Sequence, residues 1–364
     1  MMFEKYADEW NVITGDYPSG GMSLAQAQPK RNFPVTEKEN FERALNKKTP
    51  VYMPVTSDLT RFAPRLIPDN RVRAWSIEAN PIAPGSPNVR SGPDMFGVVW
   101  EYVPITSGSM VRGGEPKVPD ITRWEEYITF PDLDSWDWEG SVITNRDYLE
   151  QSSTRMNRIW VLTGLNERLI SLMDFMNVMI AYHDEDQKIG VHRFYDKLCI
   201  FYDDLISRYR KYYNADILMF NDDWGTQRGP QFSPDTAREM LLPYMKRLVE
   251  SCHKNNMYFE HHCCGKNDIL APVIAETGAD IWSPQEDIND YELLFDMIGD
   301  KVLLGIPADE KPEMTDEECL EAARKYMDRY GKSGHVMCYR GLNATTNPKM
   351  LEYMYYLSRE AYEG

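Results

Sequence analysis

The chain has no apolar run approaching the roughly 18 residues that a membrane-crossing helix needs. Basic residues are the minority charge, 40 Lys and Arg against 57 Asp and Glu, and the resulting net charge of -17 repels nucleic acid and anionic membrane surfaces. There is no G-x-G-x-x-G and no P-loop, the usual turns for cradling phosphates. No nucleophile-elbow sequence accompanies a Ser-His-Asp set, which argues against a serine hydrolase. The first ten residues lack a basic start followed by an apolar stretch, so no signal peptide is expected and the expected location is cytoplasmic. In that reducing compartment the six cysteines, Cys199, Cys252, Cys263, Cys264, Cys319 and Cys338, are not expected to form a disulfide framework.

What is present suits a large globular core: 42% hydrophobic and 12% aromatic residues, with 20 Met and 9 Trp. Residues 1–35 read as an N-terminal arm, rich in Gly, Pro, Ser and Gln from about residue 15. Thr36 and Glu39 form a capping box that starts a helix, and Val51 to Val55 reads as a buried strand. From about 60 to 145, recurrent Pro and Gly predict short strands and loops. After residue 148, helical patterns alternate with short apolar runs: Ile159 to Leu162, Ile217 to Phe220, Met257 to Phe259, Ile281 to Trp282, Val302 to Ile306 and Val336 to Cys338. Ser233-Pro234 and the Thr315/Glu318 box mark helix starts, Pro243 a kink or restart, and Gly331 a stop. Repeated β-α implies a parallel sheet with helices outside. The fold expected for residues 36–364 is α/β, a (β/α)8 TIM barrel.

Polar side chains follow the apolar runs at once: Asn221-Asp222-Asp223-Trp224-Gly225, Gln285-Glu286-Asp287 and Asp309-Glu310. In a barrel these strand ends converge on one face, which carries the active site. The strand Tyr258-Phe259-Glu260 runs into His261-His262-Cys263-Cys264-Gly265. Alternate residues share a face, so Glu260, His262 and Cys264 point one way and His261 and Cys263 the other. An imidazole with a thiolate suits Zn²⁺ better than Mg²⁺ or Ca²⁺, and a catalytic zinc usually takes three protein ligands and keeps one open position. The third ligand comes from elsewhere, with Cys338 the first choice and Glu260 the reserve. Of Asp222 and Asp223, one is expected to serve the chemistry and the other to hold the loop, and Glu286 has similar standing.

The stretch from Asn221 to Gln227, then Ser233-Pro234, Pro243-Tyr244, Lys246-Arg247, His253, His262-Cys263-Cys264-Gly265 and Gly278-Ala279-Asp280, resembles the uroporphyrinogen decarboxylase superfamily. The resemblance extends over Asn40 to Val55, Asp94 to Trp100 and Gly334 to Pro348, and that superfamily has a (β/α)8 barrel. It divides into decarboxylases and cobalamin-dependent methyltransferases. The arginine-rich decarboxylase motif is missing from Lys47-Lys48-Thr49-Pro50-Val51-Tyr52-Met53-Pro54, whereas His262-Cys263-Cys264 fits the His-x-Cys of the methyltransferase branch. The resemblance therefore implies zinc on His262, Cys264 and Cys338, and a corrinoid (methylcobalamin or cob(I)alamin) carried by a partner protein. The implied reaction moves methyl from a small donor, a methoxylated aromatic in the favoured direction. Asp222, Asp223 and Glu286 are the expected catalytic groups, and Met53, Trp224, Gln285 and Arg340 the expected substrate contacts. A methylcobalamin:thiol transferase, a metal-free lyase and a non-catalytic binding barrel stay open, as does assembly into a homodimer.

Overall fold

The computed structural model describes residues 3–18, 28–80, 91–106, 108–340 and 347–363. Six of the apolar runs become strands of one parallel sheet, together with a seventh strand near the start. They are β1 (Leu59–Phe62), β2 (Met156–Val161), β3 (Ile217–Asn221), β4 (Tyr258–Cys263), β5 (Ile281–Pro284), β6 (Leu303–Pro307) and β7 (Val336–Tyr339). Each lies beside its sequence neighbour, all in parallel register. The sheet curls until the chain preceding β1 meets β7: Val55 bridges Cys338, and the Cys338 amide donates to the Pro54 carbonyl at 2.9 Å. This is the TIM-barrel-like α/β fold that the alternation predicts, with seven strands in its sheet among the described residues.

The strands are apolar on both faces because both are covered. Leu59, Met156, Ile217, Ile281, Leu303 and Met337 pack together inside the curl, and Phe41 and Ala44 of the helix Glu37–Leu45 close its floor. The alternate residues, among them Ile159, Leu218, Phe259, Trp282, Leu304 and Val336, join the core shared with the outer helices. The helix starts fall where the capping signals put them. Thr36 accepts the Glu39 amide, Thr315 and Glu318 form a reciprocal box, and the Pro234–Met240 helix breaks at Leu241 before Leu242–Lys254. No described helix is long and apolar enough to cross a membrane.

Two segments differ from expectation. Val51 to Val55 makes only the single bridge, because the Asn40 side chain accepts the Val51 and Tyr52 amides and Ser358 accepts the Met53 amide. The arm holds an antiparallel ribbon, Val12–Asp16 with Pro29–Arg31, and Trp10 and Phe33 pack on Tyr355 of the last helix, Pro348–Glu363. Within the 60–145 region lies the three-stranded sheet of Gly92–Pro93, Val99–Val103 and Gly108–Val111.

The turn that closes the curl carries a pH-dependent group. Asp58 accepts the Val55 amide at 3.1 Å, and burial, with Glu37 nearby, pushes its carboxyl up to about 8. A folded-state pKa above the unfolded value means that the folded chain holds the proton more tightly. The contribution is complete below the unfolded pKa and is lost as pH rises through 8. Relative to Asp58→Asn, the wild type should lose stability between about pH 4 and 8, by up to roughly 1.4 kcal/mol per pH unit. Urea midpoints of both proteins across that range check it; parallel curves would remove Asp58 as the cause.

Candidate functional site

β3 and β4 are neighbours, with Asn221 opposite His262. The inward face of β4 therefore carries Glu260 and then His262 toward its C-terminal end, and Cys264 follows one residue past the strand. The loop leaving β3 brings Asp223 across to them. Ligand atoms of Asp223, His262 and Cys264 all lie within 4.8 Å of one another, at the strand-end face of the sheet. His262 Nε2 is 3.4 Å from Cys264 Sγ, and the Cys264 amide donates to Asp223 Oδ1 at 2.7 Å.

Backbone geometry fixes this arrangement. Gly265 has φ of +89°, and a Cβ there would stand 2.2 Å from the Gly225 carbonyl carbon, so the loops after β3 and β4 touch only because both positions are glycine. Gln285 Oε1 accepts the Gly265 amide at 2.8 Å, and Asn267 Nδ2 donates to the carbonyls of Cys264 and Gly265 at 2.9 Å. A turn tied on three sides presents Cys264 at one angle.

Burial pushes the Cys264 thiol well above its ordinary range, and the Asp223 carboxylate beside it pushes further the same way. On its own the cluster therefore keeps Cys264 protonated, and a cation lodged among the three side chains favours the thiolate. The donor set, one carboxylate oxygen, one imidazole nitrogen and one sulfur, fits zinc and leaves a position open. His262 Nδ1 is buried without a hydrogen-bond partner, while Nε2 faces the Cys264 sulfur.

Several expected ligands and contacts lie elsewhere. Cys338 is 1% exposed and belongs to the outer core with Met350 and Met354, beside Tyr326; Met337 and Tyr339 take the inward positions of β7. Its parity on the strand turns it away from the cluster, and Asp223 stands in the third place. Glu260 does point inward, but its carboxylate is held by Arg158 Nη1 at 3.2 Å and Ser283 Oγ at 2.7 Å, one pleat below His262. Asp222 is fully buried; it accepts the Glu167 amide at 3.0 Å and the Trp224 indole N–H at 2.8 Å, and burial pushes its carboxyl up to about 7. It anchors the helix Leu165–Met173, leaving Asp223 alone to face the cluster.

Trp224 is fully buried against His261, with ring centroids 5.0 Å apart, and forms wall, not substrate contact. His261 and Cys263 share that outer layer: the Cys263 sulfur accepts the Trp224 amide, and His261 Nε2 lies 3.3 Å from the Asp222 carbonyl. Met53 is a core residue near the chain's closure. Arg340 is neutralised by Glu310 at 3.0 Å, so its guanidinium is committed. Gln285 holds the Gly265 turn, and Glu286 is half-buried in the loop after β5.

Two further residues border the cluster. Arg73 bridges the Leu162 carbonyl, Thr163 and Glu167, and burial pushes the Glu167 carboxyl up to about 8, with Asp223 and Asp222 adding to the rise. Glu167 sits in the first turn of the helix Leu165–Met173, six residues past the end of β2. Arg73 comes from an irregular region with no strand-end signal.

Solved structures match the chain at low identity. An endoxylanase retrieved from a sugarcane soil metagenome is 10% identical, covering 60% of this chain and 83% of its own, at a TM-score of 0.37. Old Yellow Enzyme from Pichia sp. is 10% identical, covering 60% and 67%, also at 0.37. A chitinase from Chromobacterium violaceum is 8% identical, covering 69% and 89%, at 0.34. No curated protein matches the sequence. The family model described as uroporphyrinogen decarboxylase (URO-D) matches residues 169–360, more than half of the chain and including β3 to β7 with their loops. The chain belongs to the uroporphyrinogen decarboxylase family.

Proposed function

We propose that this protein is a zinc-dependent methyltransferase that moves a methyl group from a methoxylated aromatic compound to the cobalt of a corrinoid carried by a separate protein. The observation that supports this reading is the Asp223, His262 and Cys264 cluster at the strand-end face of a family barrel. A decarboxylase needs no such donor set. Bound there, zinc supplies Lewis acidity, which polarises an ether oxygen or lowers the pKa of a thiol.

The chain's own residues do the rest. Asp223, His262 and Cys264 would hold the cation, with Cys264 binding it as the thiolate, and the Gly265 turn holds the Cys264 sulfur against Asp223 and His262. Asn221, opposite His262, has a buried Oδ1 without a partner, an acceptor free to orient a bound molecule. Trp160 lies inside the curl with Met219 and Leu162 and offers a flat wall for an aromatic ring. The cluster lies at the rim, where a carrier protein can bring its cofactor.

The test is reconstitution. The protein alone should leave a methoxyarene intact, and adding a reduced corrinoid protein should start demethylation. Carbon dioxide released from a tetrapyrrole without cobalamin would establish the lyase instead. A thioether formed from methylcobalamin and a thiol, with methoxyarenes inert, would make the thiol the activated partner.

A further inference from the structure

A cavity of about 60 Å³ lies outside the curl, where the N-terminal arm, the helix Glu37–Leu45 and the last helix meet the chain entering β1. It has room for several waters or for an ion of about four heavy atoms. Its apolar wall is three rings from three parts of the chain, Phe33, Tyr52 and Tyr355, with centroids 4.6 to 5.2 Å apart. Its polar wall is two carboxylates, Glu37 at the start of its helix and Asp58 in the turn before β1, each 7% exposed. Each has one oxygen engaged and one spare. Glu37 Oε1 accepts the Tyr17 hydroxyl at 2.8 Å and Asp58 Oδ2 accepts the Val55 amide at 3.1 Å, whereas Glu37 Oε2 and Asp58 Oδ1 accept nothing among the described residues. The Tyr52 hydroxyl is buried without a partner. The nearby cations are turned to ring faces: Arg155 and Lys30 stand over Tyr17 at 4.5 and 5.0 Å, and Arg31 lies on Trp10 at 3.6 Å. None of them forms an ion pair with Glu37 or Asp58 among the described residues. Buried acceptors left open in this way are uncommon, because each costs its lost hydration.

We propose that this cavity binds a small primary alkylammonium ion, with its N–H groups on Asp58, Glu37 and the Tyr52 hydroxyl and its alkyl end on the three rings. An ammonium group carries three donors and no acceptor, which matches three oxygens that have no donor of their own. Its charge is also drawn to aromatic faces, and charge-assisted bonds to carboxylate are the stronger kind. A hard metal cation suits the walls less well, since Mg²⁺ and Ca²⁺ ask for about six or more oxygen ligands. None of the lining residues belongs to the Asp223, His262 and Cys264 cluster or to the loops after β3 and β4, so the site is separate from the one already described. The walls come from the arm, the barrel and the last helix together, so an ion held there fastens the arm to the barrel.

Calorimetric titration of the full chain with n-propylammonium chloride tests this, at pH 8.5, where Asp58, raised to about 8 by burial and Glu37, is ionised and an ammonium keeps its charge. The ion should bind at one site per chain, and Asp58→Asn and Glu37→Gln should each weaken it about 10- to 100-fold, the loss for one charge-assisted contact. Neither 1-propanol nor potassium chloride should bind. His262→Ala should bind propylammonium as the wild type does. The melting temperature should climb with propylammonium concentration in wild type and in His262→Ala, and hardly move in Asp58→Asn. Absence of saturable binding to the wild type overturns the proposal. So does binding that Asp58→Asn and Glu37→Gln leave unchanged, or that 1-propanol or potassium chloride matches, since the cavity then does not read an organic cation. Loss of binding in His262→Ala would move the ion to the cluster and overturn it as well.

Discussion

Asp223→Ala, His262→Ala and Cys264→Ala should each come off purification nearly free of zinc and inactive while remaining folded, whereas Cys338→Ala should keep both zinc and activity. Removal of an outer partner of a metal ligand already costs roughly 10- to 100-fold in affinity, and loss of one of three ligands costs more. Cys338 is a small buried hydrophobe of the outer core, and its truncation should cost on the order of 1 kcal/mol of stability with the metal unaffected. Metal per chain by elemental analysis separates the four variants. Cobalt substitution adds a second readout, since a thiolate ligand gives a near-ultraviolet charge-transfer band that Cys264→Ser should abolish and Cys338→Ser should preserve. Zinc retained by Asp223→Ala and lost by Cys338→Ala would mean that the ligand set drawn from the geometry is wrong.

The contrast between Asp223 and Cys338 shows how much of the site is legible in the residues. The apolar runs locate the strands to within a few positions because a covered parallel strand must be apolar throughout. The same continuity hides which face of a strand looks inward. On β4 the charged Glu260 and the His-Cys pair break the monotony and reveal the parity; on β7, Val336, Met337 and Cys338 are all buried and carry no such mark. Inward parity there is set by Met337 and Tyr339 opposite the space at Gly305, a tertiary fact. Asp223 was visible as a strand-end acid. Its approach to Cys264 depends on two glycine backbones touching, a contact 40 residues apart in sequence between Gly225 and Gly265 that no local pattern announces. Arg340 and Trp224 fail as substrate contacts for a related reason. Each looks free in sequence, and each is claimed by a partner, Glu310 and Asp222 respectively.

Glu260 is the other residue whose meaning depends on distant partners, and its replacement should separate stability from metal binding. Glu260→Gln keeps the shape of the side chain but removes the negative charge that faces Arg158, so two guanidinium groups, those of Arg158 and its register partner Arg61, are left uncompensated inside the barrel. Breaking a buried pair by removing one partner typically costs about 3–5 kcal/mol, because the surviving charge stays desolvated. Urea unfolding should register that loss, while zinc content stays near wild type because Asp223, His262 and Cys264 are untouched. The double variant Glu260→Gln/Arg61→Gln should recover part of the stability, since one of the two stranded cations is then gone, and the coupling between the substitutions measures their interaction directly. If Glu260→Gln is as stable as wild type, the interior is not short of negative charge. If it loses zinc instead, Glu260 belongs to the metal site after all.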